Sequence, residues 1–116
     1  MRKLRYVLQA GLVPAMLAAF TAPTSPALAQ ETTYSLTVQN GKFEPSTLAV
    51  KAGVKFKLVV SNKGTKPAEF ESPELNREKI VPAGASVPLY IGPLAPGAYP
   101  FFDDFDQKNR GQIVAK

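Results

Sequence analysis

The stretch Val54-Lys55-Phe56-Lys57-Leu58-Val59-Val60 places apolar side chains at 54, 56, 58 and 60 and lysines at 55 and 57. Successive side chains of an extended strand point to opposite faces. This period of two therefore sets one face on a core and the other, bearing the lysines, in water or along a charge-protected edge. Working outward, the same signature recurs. Tyr34, Leu36 and Val38 alternate with Ser35, Thr37 and Gln39. Leu48 and Val50 follow Pro45, and Val87, Leu89 and Ile91 follow the turn Pro82-Ala83-Gly84. Residues 99–102 and 112–115 supply two more short apolar runs. Gly41, Ala52-Gly53 and Asn62-Lys63-Gly64 punctuate the series. Strands this short at this spacing predict an all-β fold: a Greek-key antiparallel β-sandwich of about seven strands. Only residues 72–80, polar and rich in Glu and Lys, fall outside the pattern; one helical turn beginning at Ser72-Pro73 is expected there.

The chain has 116 residues, with 14 Lys plus Arg, 9 Asp plus Glu, no Cys and no His. The missing cysteines exclude disulfides, zinc ribbons, iron–sulfur clusters, thiol redox pairs and a lipid-modified cysteine. The missing histidines exclude Ser–His dyads and imidazole metal ligands. Any chemistry falls to carboxylates, hydroxyls, amines and the backbone.

Residues 1–29 have the form of a secretory signal. Arg2, Lys3 and Arg5 precede an apolar run over residues 6–20, and Ala27-Leu28-Ala29 is an A-x-A cleavage pattern. The run is short for a spanning helix, and Pro14, Pro23 and Pro26 interrupt the segment. The expected domain is residues 30–116, outside the cytoplasm. It keeps 11 basic and 9 acidic residues, a net of +2, too little for a nucleic-acid footprint.

A domain this small without disulfides needs its aromatics, so Phe43, Phe56, Phe70, Phe101, Phe102 and Phe105 are expected in the core. Gly64, Gly84, Gly97 and Gly111 are spaced like hairpin punctuation.

Two acidic segments stand apart. One is Glu69-Phe70-Glu71-Ser72, continuing through Pro73-Glu74-Leu75-Asn76-Arg77-Glu78-Lys79; the other is Phe101-Phe102-Asp103-Asp104-Phe105-Asp106. If both are extended, Glu69 pairs with Glu71 opposite Phe70, and Asp104 with Asp106 opposite Phe105. Together with Asn40-Gly41-Lys42-Phe43-Glu44-Pro45, Val50-Lys51-Ala52-Gly53 and Ile91-Gly92-Pro93-Leu94-x-Pro96-Gly97-x-Tyr99, these segments resemble the cupredoxin-like domains of bacterial iron transport. These comprise the EfeO-like group and, most closely, the periplasmic FtrB-type component.

The resemblance spans residues 30–116. It implies a cupredoxin sandwich, a periplasmic location and a part in iron uptake beside an iron permease and a second periplasmic iron-binding protein. It also implies a metal site. Cupredoxins hold copper with a His on an inner strand and a Cys-x-x-His-x-x-Met-like cluster. Counted from Tyr99, the Cys position falls on Asp103 and the second His position on Asp106. The first His position falls near Glu69, and the Met position near Asn109 or Arg110. Where FtrB-type relatives read Phe-Phe-Gly-Glu-Phe-His, this chain reads Phe-Phe-Asp-Asp-Phe-Asp. Without a thiolate there is no type 1 (blue) copper.

The expected metal ligands are thus Glu69, Glu71, Asp103 and Asp106, for an iron or copper ion. Oxygen donors suit hard ions such as Fe³⁺, Mn²⁺ and Ca²⁺, and less tightly Fe²⁺ and Cu²⁺. The opposed expectation is a loop of surface ion pairs made with Arg77, Lys79, Lys108 and Arg110. Three functions follow: a metal-binding accessory protein of iron uptake, a ferroxidase or electron-transfer component acting on Fe²⁺, or a metal-free interaction module.

Overall fold

The computed structural model of the chain describes residues 31–116 together with residues 11, 14, 15 and 17–19. Its strands are β1 (Thr33–Gln39), β2 (Lys42–Glu44), β3 (Thr47–Val50), β4 (Phe56–Asn62), β5 (Ala68–Ser72), β6 (Arg77–Val81), β7 (Ser86–Ile91), β8 (Gly97–Asp103) and β9 (Asp106–Ala115). They form a four-stranded sheet in the order β2-β1-β4-β7 and a five-stranded sheet in the order β3-β9-β8-β5-β6. The all-β sandwich read from the alternation is correct. Its strand number is nine rather than about seven, and its sheets are mixed, because β1 runs parallel to β4 and β3 parallel to β9. Apart from those isolated positions, the leader expected at 1–29 lies outside the described residues. Among the described residues no helix is long and apolar enough to cross a membrane.

The alternation at 54–60 becomes β4, whose side chains alternate between buried and half-buried along its whole length. Its inner residues Phe56, Leu58 and Val60 are at most 2% exposed. They share one continuous core with Phe70, Phe101 and Ile113 of the other sheet. Phe101 is the aromatic hinge of that core, edge-on to Phe43 at 4.9 Å and tilted against Phe70 at 5.1 Å.

Three expectations need correction. Gly111 is not hairpin punctuation; it lies within β9, directly opposite Phe101. A Cβ at that position would stand 2.5 Å from Cζ of Phe101 and 2.7 Å from the Ser46 carbonyl oxygen, so only glycine lets the ring lie flat across the strand. Phe102 and Phe105 are not core. Phe102 is half-buried on the outer face under the Arg110 guanidinium, and Phe105 is 54% exposed at a hairpin tip.

The third concerns residues 72–80, which form a turn and a strand instead of a helical turn. Ser72 Oγ accepts from the Leu75 N–H at 3.3 Å, and the Asn76 N–H donates to the Pro73 carbonyl at 3.0 Å. Asn76 takes a left-handed φ of 52°, which a short amide side chain tolerates. The chain then reverses into β6, an exposed edge strand whose first four residues are in water. An edge strand with one buried residue has no hydrophobic period to read.

Candidate functional site

β5 sits between β8 and β6 in the five-stranded sheet. Phe70 anchors it in the core at 1% exposure, so Glu69 and Glu71 point to the outer face, as the period of two requires. The β8–β9 hairpin turns at Asp104-Phe105, with Asp103 and Asp106 facing each other across it. This turn breaks the expected pairing of Asp104 with Asp106. Asp104 instead folds over β5, where its N–H donates to the Glu69 carbonyl at 2.9 Å. One carboxylate oxygen each from Glu69, Glu71 and Asp104 lies within 4.8 Å of the others. Glu78 joins the cluster from β6, directly opposite Glu71 in the ladder.

Like charges facing each other across a sheet are unfavourable. Both glutamates bind their protons more tightly than an ordinary carboxyl does, with burial the larger cause and this repulsion the smaller. Burial pushes the Glu69 carboxyl above the ordinary carboxylate range, and the negative charges of Glu78, Asp104 and Glu71 push it further. Burial likewise raises Glu71, reinforced by Asp104 and Glu78.

Of the basic residues expected to neutralise these acids, Arg77, Lys79, Lys108 and Arg110, none forms an ion pair with them among the described residues, and the two arginines are engaged elsewhere. Arg77 donates from Nε to the Tyr90 carbonyl at 3.0 Å and from a terminal nitrogen to the Asn76 carbonyl. Arg110 donates to the Gln107 carbonyl at 2.9 Å and covers the Phe102 ring at 5.1 Å. Lys79 pairs with Phe70 in the ladder and so projects to the side of β6 opposite Glu78. Among the described residues the one ion pair joins Lys57 to Glu31, remote in sequence from the cluster.

Of the four residues expected as ligands, the structure brings Glu69 and Glu71 together and sets Asp103 and Asp106 apart from them. Asp103 is 5% exposed, and its Oδ1 already accepts from the Glu69 N–H at 2.9 Å and the Phe105 N–H at 3.0 Å. Asp106 lines a cleft of about 600 Å³ at the end of the sandwich, together with Asn62, Lys63, Lys66, Ala68 and Asp103. The β5 residue that lines this cleft is Ala68, which offers no donor atom, whereas Glu69 is on the other face. Asn62 is saturated by the backbone: its amide nitrogen donates to the Lys66 and Val81 carbonyls, and its oxygen accepts from the Gly64 N–H. This donor set does not fit a type 1 copper ion, which needs a thiolate with imidazoles.

The outer cluster has different chemistry. Two oxygens on opposite sides of an ion bonded at about 2.4 Å lie about 4.8 Å apart, so three carboxylate oxygens within 4.8 Å of one another are close enough to reach one hard cation. Ligands from one side only leave the remaining coordination positions to water or to a partner. Sequence reading missed Asp104 and Glu78. The hairpin turn hid the first, and the second required knowing that residues 73–76 reverse the chain.

The profile of a family described as "Cupredoxin-like domain" matches residues 12–115. An uncharacterized protein of Rickettsia prowazekii (strain Madrid E) is 39% identical over 72 residues, 62% of this chain; the chain spans 58% of that relative's length. Amicyanin of Paracoccus versutus superposes with a TM-score of 0.57 at 15% identity, over 76% of this chain and 83% of amicyanin. The metal-binding domain of the Cu(I)-exporting P-type ATPase of Streptococcus pneumoniae superposes with a TM-score of 0.63 at 9% identity, over 72% and 84% of the two chains. An apo copper binding protein solved in solution gives 0.64 at 19% identity, over 72% and 86%. At these identities the likeness is one of fold.

Proposed function

Because the chain belongs to the cupredoxin-like domain family and has no ligand for blue copper, we propose that it is an exported accessory protein of iron uptake. In this reading it binds iron as cargo through oxygen donors and passes it to a partner. The observation that carries the reading is the convergence of Glu69, Glu71 and Asp104 within 4.8 Å. A cation among them would offset both the burial and the mutual repulsion that hold the Glu69 and Glu71 carboxyls above the ordinary carboxylate range. A carrier needs reversible affinity, and a half-open carboxylate site supplies it better than a closed cage. Proteins of the same fold that bind copper support metal handling as one use of this sandwich. The basic leader with its A-x-A motif supports the periplasm as its place. The likeness to FtrB-type domains supports an iron permease and a second periplasmic iron-binding protein as its partners.

The test is the melting temperature of residues 30–116 with Fe³⁺ supplied as citrate, Fe²⁺ under anaerobic conditions, Mn²⁺ and Cu²⁺. A ligand at a hundredfold its Kd stabilises the folded state by about 2.7 kcal/mol. For a domain of this length that is a rise of roughly 10–20 °C. The rise should vanish in the Glu69→Gln, Asp104→Asn double variant. No shift with any of the four ions refutes the reading.

A further inference from the structure

We infer that Asp103 is the positioning residue of the outer carboxylate cluster, acting from the core side as a clamp and not as a ligand; the inference rests on the metal-binding reading above. The hairpin tip has little else to hold it against β5, because β8 and β5 share only two ladder pairs, Phe70 with Asp103 and Glu71 with Phe102. Beyond the last pair, two hydrogen bonds hold the tip to β5 and a third closes the tip on itself. Asp103 Oδ1 accepts from the Glu69 N–H at 2.9 Å and from the Phe105 N–H at 3.0 Å. The Asp104 N–H donates to the Glu69 carbonyl at 2.9 Å.

A single buried oxygen therefore ties the backbone of one cluster residue to the residue following another. With Asp103 facing inward and Asp104 outward, the clamp sets the height of Asp104 relative to Glu69 without touching an ion bound outside. The two bonds run to a charged acceptor at a site only 5% exposed, where such bonds are strong and costly to lose.

Asparagine keeps an Oδ1 acceptor for both N–H groups but loses the charge a ligand would use; alanine loses both. The test compares wild type, Asp103→Asn and Asp103→Ala in the 30–116 chain by three measurements. These are the Kd for Mn²⁺ by calorimetry well below each melting temperature, the melting temperature itself, and amide hydrogen exchange of Asp104 without metal. Asp103→Ala should bind Mn²⁺ about tenfold more weakly, the factor for losing one bond to a charged acceptor. Its Asp104 amide should exchange at least about tenfold faster, and Asp103→Asn should stay within about threefold of wild type in both.

Equal loss of affinity in the asparagine variant would make Asp103 a ligand and overturn the inference. So would a melting temperature that falls in Asp103→Ala while Kd and Asp104 exchange stay unchanged. Should Asp103→Ala not fold, the asparagine variant decides by the same criterion. If wild type binds no Mn²⁺, the metal reading fails for this ion, and the Asp104 exchange rate still decides the clamp.

Discussion

Gly111→Ala isolates one physical effect. Gly111 is paired with Phe101 across β8 and β9, and its φ is not in the left-handed region, so alanine meets no backbone penalty. On propensity alone the change should stabilise the strand by about 0.4–1 kcal/mol through the unfolded chain. Sterics reverse the sign. The new methyl would lie 2.5 and 2.6 Å from two Phe101 ring carbons and 2.7 Å from the Ser46 carbonyl oxygen. The ring cannot retreat, because Phe43 and Phe70 pack against it at 4.9 and 5.1 Å. The carbonyl belongs to the chain entering β3 and accepts the Gln112 N–H. Overpacking of this kind costs about 1–3 kcal/mol, and closure on three sides puts the net near 2–3 kcal/mol. That is a fall in melting temperature of roughly 10–20 °C for a domain of this size. The assay is reversible thermal unfolding followed by far-ultraviolet circular dichroism, with Gly53→Ala alongside. Gly53 has φ of +75° and open space around its Cβ position, so its penalty is backbone strain of about 1–2 kcal/mol without a clash. A Gly111→Ala protein melting within about 2 °C of wild type, or above Gly53→Ala, would refute the packing argument.

Three further outcomes are expected. Glu69 and Glu71 hold protons in the folded state at pH values where the unfolded chain has released them. Their contribution to stability is therefore fully present below the ordinary carboxylate value near 4.5 and is lost as pH rises through the raised folded values. Unfolding free energy measured by denaturant titration from pH 4 to 8 should fall across that window more steeply in wild type than in Glu69→Gln, Glu71→Gln; parallel curves would contradict the electrostatics. Asn62→Ala removes three hydrogen bonds, to the Lys66 and Val81 carbonyls and from the Gly64 N–H, and should cost about 2–4 kcal/mol in the same assay. With Cu²⁺ the protein should show no intense blue absorption at any pH, since no thiolate is available to the ion.

The amino-acid sequence by itself determined the layer architecture, because a period of two at 34–38, 56–60 and 87–91 can bury its apolar set in only one way. It also determined what the metal chemistry is not, since no fold supplies a thiolate or imidazole that the chain lacks. It placed Glu69 and Glu71 on one face through the single residue between them. Tertiary structure decided which other acids meet them. Asp103 and Asp104 are neighbours in the chain, yet the two-residue hairpin turn sends one into the core as a backbone acceptor and the other over β5. Glu78 arrives from a strand with no hydrophobic period, brought opposite Glu71 by a turn at 73–76. Spacing along one strand is a local property of the backbone. Contact between strands depends on turn geometry and register, which no single segment encodes.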